Sequence, residues 1–222
     1  MQIIAHRGCP LLHLENTINS FQKAVELGYK GIEVDVQATS DGYLIVFHDD
    51  NLERLTNGLD KRSIANLSYS EVQKINLNDG SKIPSLLEVL DKFEHLINFN
   101  IEIKSRNVAL TLHSILKNRS PLTPYIISSF HWEEVLNYLT LSSATNTAFL
   151  CEKPTNQILQ YLKSNNISSI HLSEECITKE SLNKLKQENF LIRVYTVNEL
   201  NRVLELKKWG VDAIFTDNHT LL

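Results

Sequence analysis

From Gln2 to Thr216 the chain alternates short runs of β-branched and apolar residues with longer stretches of helical periodicity, eight runs with seven helical stretches between them. The runs fall at 2–6, 31–36, 98–104, 125–129, 147–150, 169–172, 191–195 and 213–216. Parallel strands need a crossover of about a dozen residues or more, usually a helix, and this spacing supplies one each time. Eight β-then-α units predict an α/β protein, a closed (β/α)8 TIM barrel. At 222 residues the chain is short for that fold, which typically takes about 250. A doubly wound open sheet is the competing architecture, and no Gly-rich dinucleotide loop follows the first run to support it. The chain reads as one domain, 1–222.

Local signals agree with this division. Asn16 or Thr17 is placed to cap a helix that stops at Gly28, and Pro84 is placed to start another. In the second run, Gly31-Ile32-Glu33-Val34-Asp35-Val36, alternation puts Glu33 and Asp35 on one face. An Asp41-Gly42 turn then predicts an antiparallel hairpin. A two-residue turn pairs Val36 with Phe47 and sets His48 opposite Asp35, about 5 Å away on the same face. After His48-Asp49 a polar stretch at about 50–81 reads as a short insertion, with one helical pattern near 68–75.

A net charge of -4 with dispersed basic residues gives no case for nucleic-acid binding. No apolar run approaches the roughly 20 residues of a membrane span, and the first strand begins at Gln2 with no room for a leader, so a cytoplasmic location is expected. Cys9, Cys151 and Cys176 show no paired spacing and read as reduced, structural thiols.

The carboxyl ends of barrel strands open onto one face, where active sites are built. There the sequence places His6 and Arg7, then Glu33 and Asp35, then His48 from the hairpin, then Glu102 and Lys104. Taken singly, each residue has an ordinary structural explanation. Clustered, such charges are costly unless something pairs them. Glu33, Asp35 and Glu102 form a hard oxygen site suited to Mg²⁺, Ca²⁺ or Mn²⁺. Arg7 and Lys104 offer positive charge to a phosphate oxygen, and His6 and His48 supply imidazoles, whose unperturbed pKa of about 6.5 suits an acid and base pair. The set fits metal-assisted phosphoryl transfer. Of the remaining histidines, His13, His95, His113 and His219 fall in loops or on helices, His131 sits at a helix start, and His171 lies on a strand near the site rim; none is assigned a role.

His6-Arg7-Gly8, Glu15-Asn16-Thr17, Glu33-Val34-Asp35-Val36, His48-Asp49, Ile101-Glu102-Ile103-Lys104, Tyr195-Thr196-Val197-Asn198 and the 210–217 segment together resemble the glycerophosphodiester phosphodiesterase family. The resemblance runs end to end but is thin between about 132 and 190. It implies a barrel enzyme that hydrolyses glycerophosphodiesters to glycerol 3-phosphate and an alcohol with one divalent cation. By motif, Glu33, Asp35 and Glu102 would bind the metal, His6 and His48 would be acid and base in an order left open, and Arg7 and Lys104 would hold the phosphate. Tyr195 is a candidate for the substrate pocket. The resemblance also implies attack by the glycerol 2-hydroxyl through a cyclic phosphate, and an insertion that shapes the glycerol pocket. The chain departs from the family pattern at Leu55, Tyr195 and Ala213, none of them a group with a catalytic role. A lysophospholipid-directed phosphodiesterase and a non-catalytic barrel binding a phosphorylated ligand are the alternative readings. The head-group alcohol and the oligomeric state stay open.

Overall fold

The computed structural model describes residues 1–119, 125–142 and 146–222. Strand β1 (Gln2–Ala5) leads through helix α1 (Ile18–Leu27) to β2 (Gly31–Ala38), whose hairpin partner is β3 (Leu44–Val46). The insertion holds two single-turn 3-10 helices, at Arg54–Thr56 and Ile64–Asn66, and one short α-helix, α2 (Tyr69–Val72), before α3 (Leu86–Phe93). Regular alternation follows: β4 (Asn98–Ile103), α4 (Ala109–Leu116), β5 (Tyr125–Ser129), α5 (Trp132–Leu141), β6 (Asn146–Cys151) and α6 (Asn156–Ser164). The chain ends with β7 (Ser169–Ser173), α7 (Lys179–Gln187), β8 (Leu191–Tyr195), α8 (Leu200–Lys208) and β9 (Ala213–Thr216). Eight strands pair in parallel around a closed ring, because β1 bonds both β9 and β2, and β3 adds to β2 antiparallel. This is the predicted (β/α)8 barrel.

Alternation along each strand divides its side chains between two environments. Ile32, Val34 and Val36 pack outward in one core with Phe21 and Ala24 of α1 and Val89 and Phe93 of α3. Their neighbours Glu33 and Asp35 therefore point into the barrel. Thr17 caps α1 by accepting the Ser20 N–H, and Gly28 closes that helix at φ 86°. The start expected at Pro84 lies two residues later, after a Ser85–Glu88 capping box; Pro84 instead gives its carbonyl to Val46 N–H at 2.8 Å.

The hairpin register differs from expectation by one residue. Val36 pairs with Val46 and Ala38 with Leu44, so Ser40, Asp41 and Gly42 form a three-residue loop. Gly42 at φ 83° supplies the left-handed position that such a loop requires. Thr39 braces it, its N–H on Tyr43 C=O at 2.9 Å and its hydroxyl on Asp41 Oδ1 at 2.6 Å. Phe47, not His48, therefore stands across from Asp35, with its N–H on the Asp35 carbonyl at 2.9 Å. The insertion beyond folds against the hairpin around its own apolar cluster, which includes Ile45, Phe47, Leu52, Ile64 and Val72.

Candidate active site

The first strand ends in a tight turn at Arg7 and Gly8. Arg7 and Gly8 take successive positive φ values of 57° and 87°. A Cβ on Gly8 would stand 2.3 Å from Ser20 Oγ and 2.7 Å from the Ser20 carbonyl carbon, so the closeness of α1 requires glycine here. Ser20 fixes the turn by donating to Arg7 C=O at 3.0 Å and accepting Cys9 N–H at 2.7 Å. The turn aims Arg7 N–H at Glu33 Oε2, 3.0 Å away, and brings the guanidinium to Glu15 Oε1 at 2.9 Å and Asp35 Oδ2 at 3.2 Å. Asn16 is not the helix cap; its amide donates to Asp35 Oδ2 at 2.8 Å.

Register on β2 and β4 sets Glu102 beside Asp35, with Glu33 two residues behind it. One oxygen from each of these three carboxylates lies within 4.8 Å of the others. Burial, with Asp35 and Glu102 close by, pushes the Glu33 carboxyl well above its ordinary range; burial and Asp35 also raise Glu102. Glu33 Oε1 and Asp35 Oδ1 are buried and accept no hydrogen bond. Crowded acids with orphaned oxygens are the surroundings a hard cation satisfies, so the donor set fits a divalent metal. Lys104 partly compensates the cluster, its Nζ 2.9 Å from Glu102 Oε1 and 3.9 Å from Asp35 Oδ1. Burial opposes its charge, but Glu102 and Asp35 outweigh burial and keep the ammonium protonated.

Both histidines are oriented by aspartates. His6 Nδ1 donates to Asp217 Oδ1 at 2.8 Å, and Asn198 holds Asp217 through the carboxylate and the backbone N–H. His48 Nδ1 donates to Asp49 Oδ1 at 2.7 Å. His48 reaches the site despite the shifted register because β3 ends at Val46, after which the Gln37 amide holds the carbonyls of Phe47 and Asp49, both at 2.8 Å. With Nδ1 occupied, each imidazole keeps Nε2 for chemistry. Burial lowers the His48 pKa and outweighs the raising influence of Asp35.

These elements surround a cavity of about 150 Å³. One wall carries His6, Arg7, Glu33, His48, Glu102 and Lys104; the facing wall carries Phe130, Leu150, His171, Tyr195 and Phe215. Asp35 sits fully buried just behind the first wall. All eight residues singled out from the sequence thus converge on one place. No cavity-lining residue comes from 50–81 among the described residues. The insertion meets the site at one remove, through Arg54, which bonds Glu15 and Asp49. Sequence reasoning left Asp49, Asp217, Asn198 and Gln37 without roles, although all but Gln37 stand in quoted motifs. It also set His171 aside. Of the other histidines, His131 bonds the Lys104 carbonyl through Nε2 at 3.1 Å.

Residues 6–221 match the family model described as the Glycerophosphoryl diester phosphodiesterase family. The chain is 31% identical over 243 residues to the glycerophosphodiester phosphodiesterase of Bacillus subtilis (strain 168), covering 96% of this chain and 82% of that protein. It is similar in structure to a glycerophosphodiester phosphodiesterase from Thermotoga maritima, with a TM-score of 0.83, 29% identity, and coverage of 99% of this chain and 95% of the other. An Oleispira antarctica phosphodiesterase solved with its product sn-glycerol-3-phosphate has the same fold, with a TM-score of 0.93, 24% identity, and coverage of 100% and 95%.

Proposed function

The chain belongs to the glycerophosphoryl diester phosphodiesterase family, and from that premise we propose that it hydrolyses small glycerophosphodiesters to glycerol 3-phosphate and an alcohol. The observation that supports this most is the meeting of two aspartate-bound histidines with three crowded carboxylates on one small cavity. Phosphodiester hydrolysis needs that combination: charge to hold a phosphate, one group to remove a proton from the attacking oxygen, and one to protonate the leaving oxygen.

Glu33, Asp35 and Glu102 are the residues that would hold one divalent cation. Bound there, the cation supplies charge to the phosphate and draws electron density from its oxygens. Arg7 and Lys104, both cationic and both turned to this wall, orient the phosphate. His6 and His48 present Nε2 to the substrate, one taking the proton from the attacking oxygen and the other giving one to the departing alcohol. Asp217 and Asp49 fix the ring orientation and tautomer of each imidazole. Tyr195 packs against the substrate from the facing wall; its ring meets Phe130 edge-on with centroids 6.0 Å apart. No helix among the described residues is long and apolar enough to cross a membrane.

The test is release of glycerol 3-phosphate from a panel of glycerophosphodiesters after EDTA treatment, repeated with Mg²⁺, Ca²⁺ or Mn²⁺ restored singly. Product that disappears with the chelator and returns with one of the cations supports the reading. No product under any cation rejects it.

A further inference from the structure

The wall facing the acidic cluster holds two polar side chains that the proposed reaction does not use, Thr196 just past the end of β8 and His171 on β7. Phe130, Leu150, Tyr195 and Phe215 make that wall largely apolar, and the Tyr195 hydroxyl is already donated to Cys151 C=O at 3.2 Å. Among them lies His171, only 1% exposed, with its ring 5.1 Å from that of Phe215. Arg193 is its register partner on β8, and Leu150 its partner on β6. Arg193 is thus the charged group in contact with it.

His171 Nε2 lies 3.4 Å from Arg193 Nη1, and that same Nη1 is anchored on Ser169 Oγ at 2.6 Å. A guanidinium only donates, so Nε2 accepts and the imidazole proton must sit on Nδ1. A second positive charge on the ring is disfavoured by burial and by Arg193, which together hold the imidazole well below its ordinary titration range. The ring is therefore a neutral donor. Nδ1 has no partner among the described residues and is not sealed within the wall.

We infer that His171 binds the glycerol part of the substrate, its Nδ1–H donating to an uncharged hydroxyl oxygen, and that Arg193 is the positioning residue that fixes the donor tautomer. The inference rests on the reading under Proposed function, which puts the charged phosphate on the opposite wall with Arg7 and Lys104. A cavity of about 150 Å³ leaves room beside the phosphate for a three-carbon polyol rather than a bulky head group. On a largely apolar wall His171 gives such a polyol a directed contact, and a neutral donor suits a hydroxyl better than an ion would.

Calorimetry with the cation-loaded protein reads the contact without turnover. The ligands are glycerol 3-phosphate and its two deoxy analogues, propane-1,2-diol 1-phosphate and propane-1,3-diol phosphate. His171→Leu should weaken glycerol 3-phosphate about three- to tenfold, the worth of one net hydrogen bond. It should leave the affinity for one deoxy analogue unchanged, which identifies the hydroxyl. His171→Asn, whose amide nitrogen overlays Nδ1, should recover most of the loss. In ¹⁵N spectra of the unliganded protein, His171 should show the neutral Nδ1–H tautomer at pH 7, and Arg193→Met should introduce the other tautomer. Equal weakening of all three ligands, no weakening, or an Nε2–H tautomer in the wild type would overturn the inference. Failure of the wild type to bind or release glycerol 3-phosphate would instead reject the underlying activity, and the spectra would still report the tautomer.

Discussion

Arg54 grips Asp49 and Glu15 together. Its Nε lies 2.6 Å from one carboxylate of the pair and its Nη2 2.7 Å from the other. The contact joins two loops that would otherwise be independent, because Glu15 also holds Arg7 and Asp49 also holds His48. A line of alternating charges therefore runs from the insertion to two residues of one cavity wall, Arg7 and His48. Arg54→Met should lower kcat on the order of ten- to a hundredfold, as the loss of an outer partner commonly does, with little change in KM. Arg54→Lys should recover only part, since an ammonium does not span two carboxylates. Steady-state kinetics on a glycerophosphodiester checks both; a change confined to KM would argue against the orienting role.

The three acids conflict with one another in the absence of a cation, and that conflict has a measurable sign. Glu33→Gln removes a buried charge that burial and its neighbours already oppose. In EDTA the variant should melt at or above the wild-type temperature. With Mg²⁺ or Ca²⁺ at a hundred times Kd, the wild type should gain about 2.7 kcal/mol and overtake it. Thermal melts of both proteins in the two conditions read the crossing, and parallel shifts would contradict the metal site.

Gly8 tests the turn beneath His6. An added methyl meets both the side chain and the backbone of Ser20, and it must do so at φ 87°. Gly8→Ala should destabilise the protein by about 1–3 kcal/mol. Activity measured well below the melting point should also fall, because Arg7 and His6 lie on the displaced segment. Urea unfolding gives the first quantity and an assay at low temperature the second.

Acidification should weaken the fold through His171. Its pKa is lowered in the folded state, so the unfolded chain binds a proton first as pH falls below the ordinary value of 6.5. Folding stability is then unaffected by this group above pH 6.5 and declines steadily below it, until the folded state also protonates. Urea midpoints between pH 7.5 and 5 should show a shallower decline for His171→Asn than for the wild type. Identical slopes would mean that the ring is free to protonate in place.

The barrel was legible because strand and helix periods differ and recur, and the acidic cluster because inward side chains repeat every second residue. Glu33, Asp35, Glu102 and Lys104 needed only that rule. His48 was placed at the right site by the wrong register. The three-residue loop turned Phe47 toward Asp35, and a buried glutamine then steered the chain after the strand ended. That interplay of a Gly42 φ angle and a Gln37 amide has no local signature. The His6–Asp217 contact joins residues 211 apart, and only the closed ring makes them neighbours. His171 could be placed near the site rim but not given a role, since a single histidine in an apolar strand reads like any buried polar residue until Arg193 is seen beside it.

Ring closure sets an order of events during synthesis. The carboxylates on β2 and β4 and the hairpin bearing His48 all leave the ribosome in the first half of the chain, whereas the aspartate that orients His6 is made after the final strand. His6 is therefore directed only once β9 stands beside β1. Full assembly of the site coincides with completion of the barrel, because the residue that orients His6 follows the last strand.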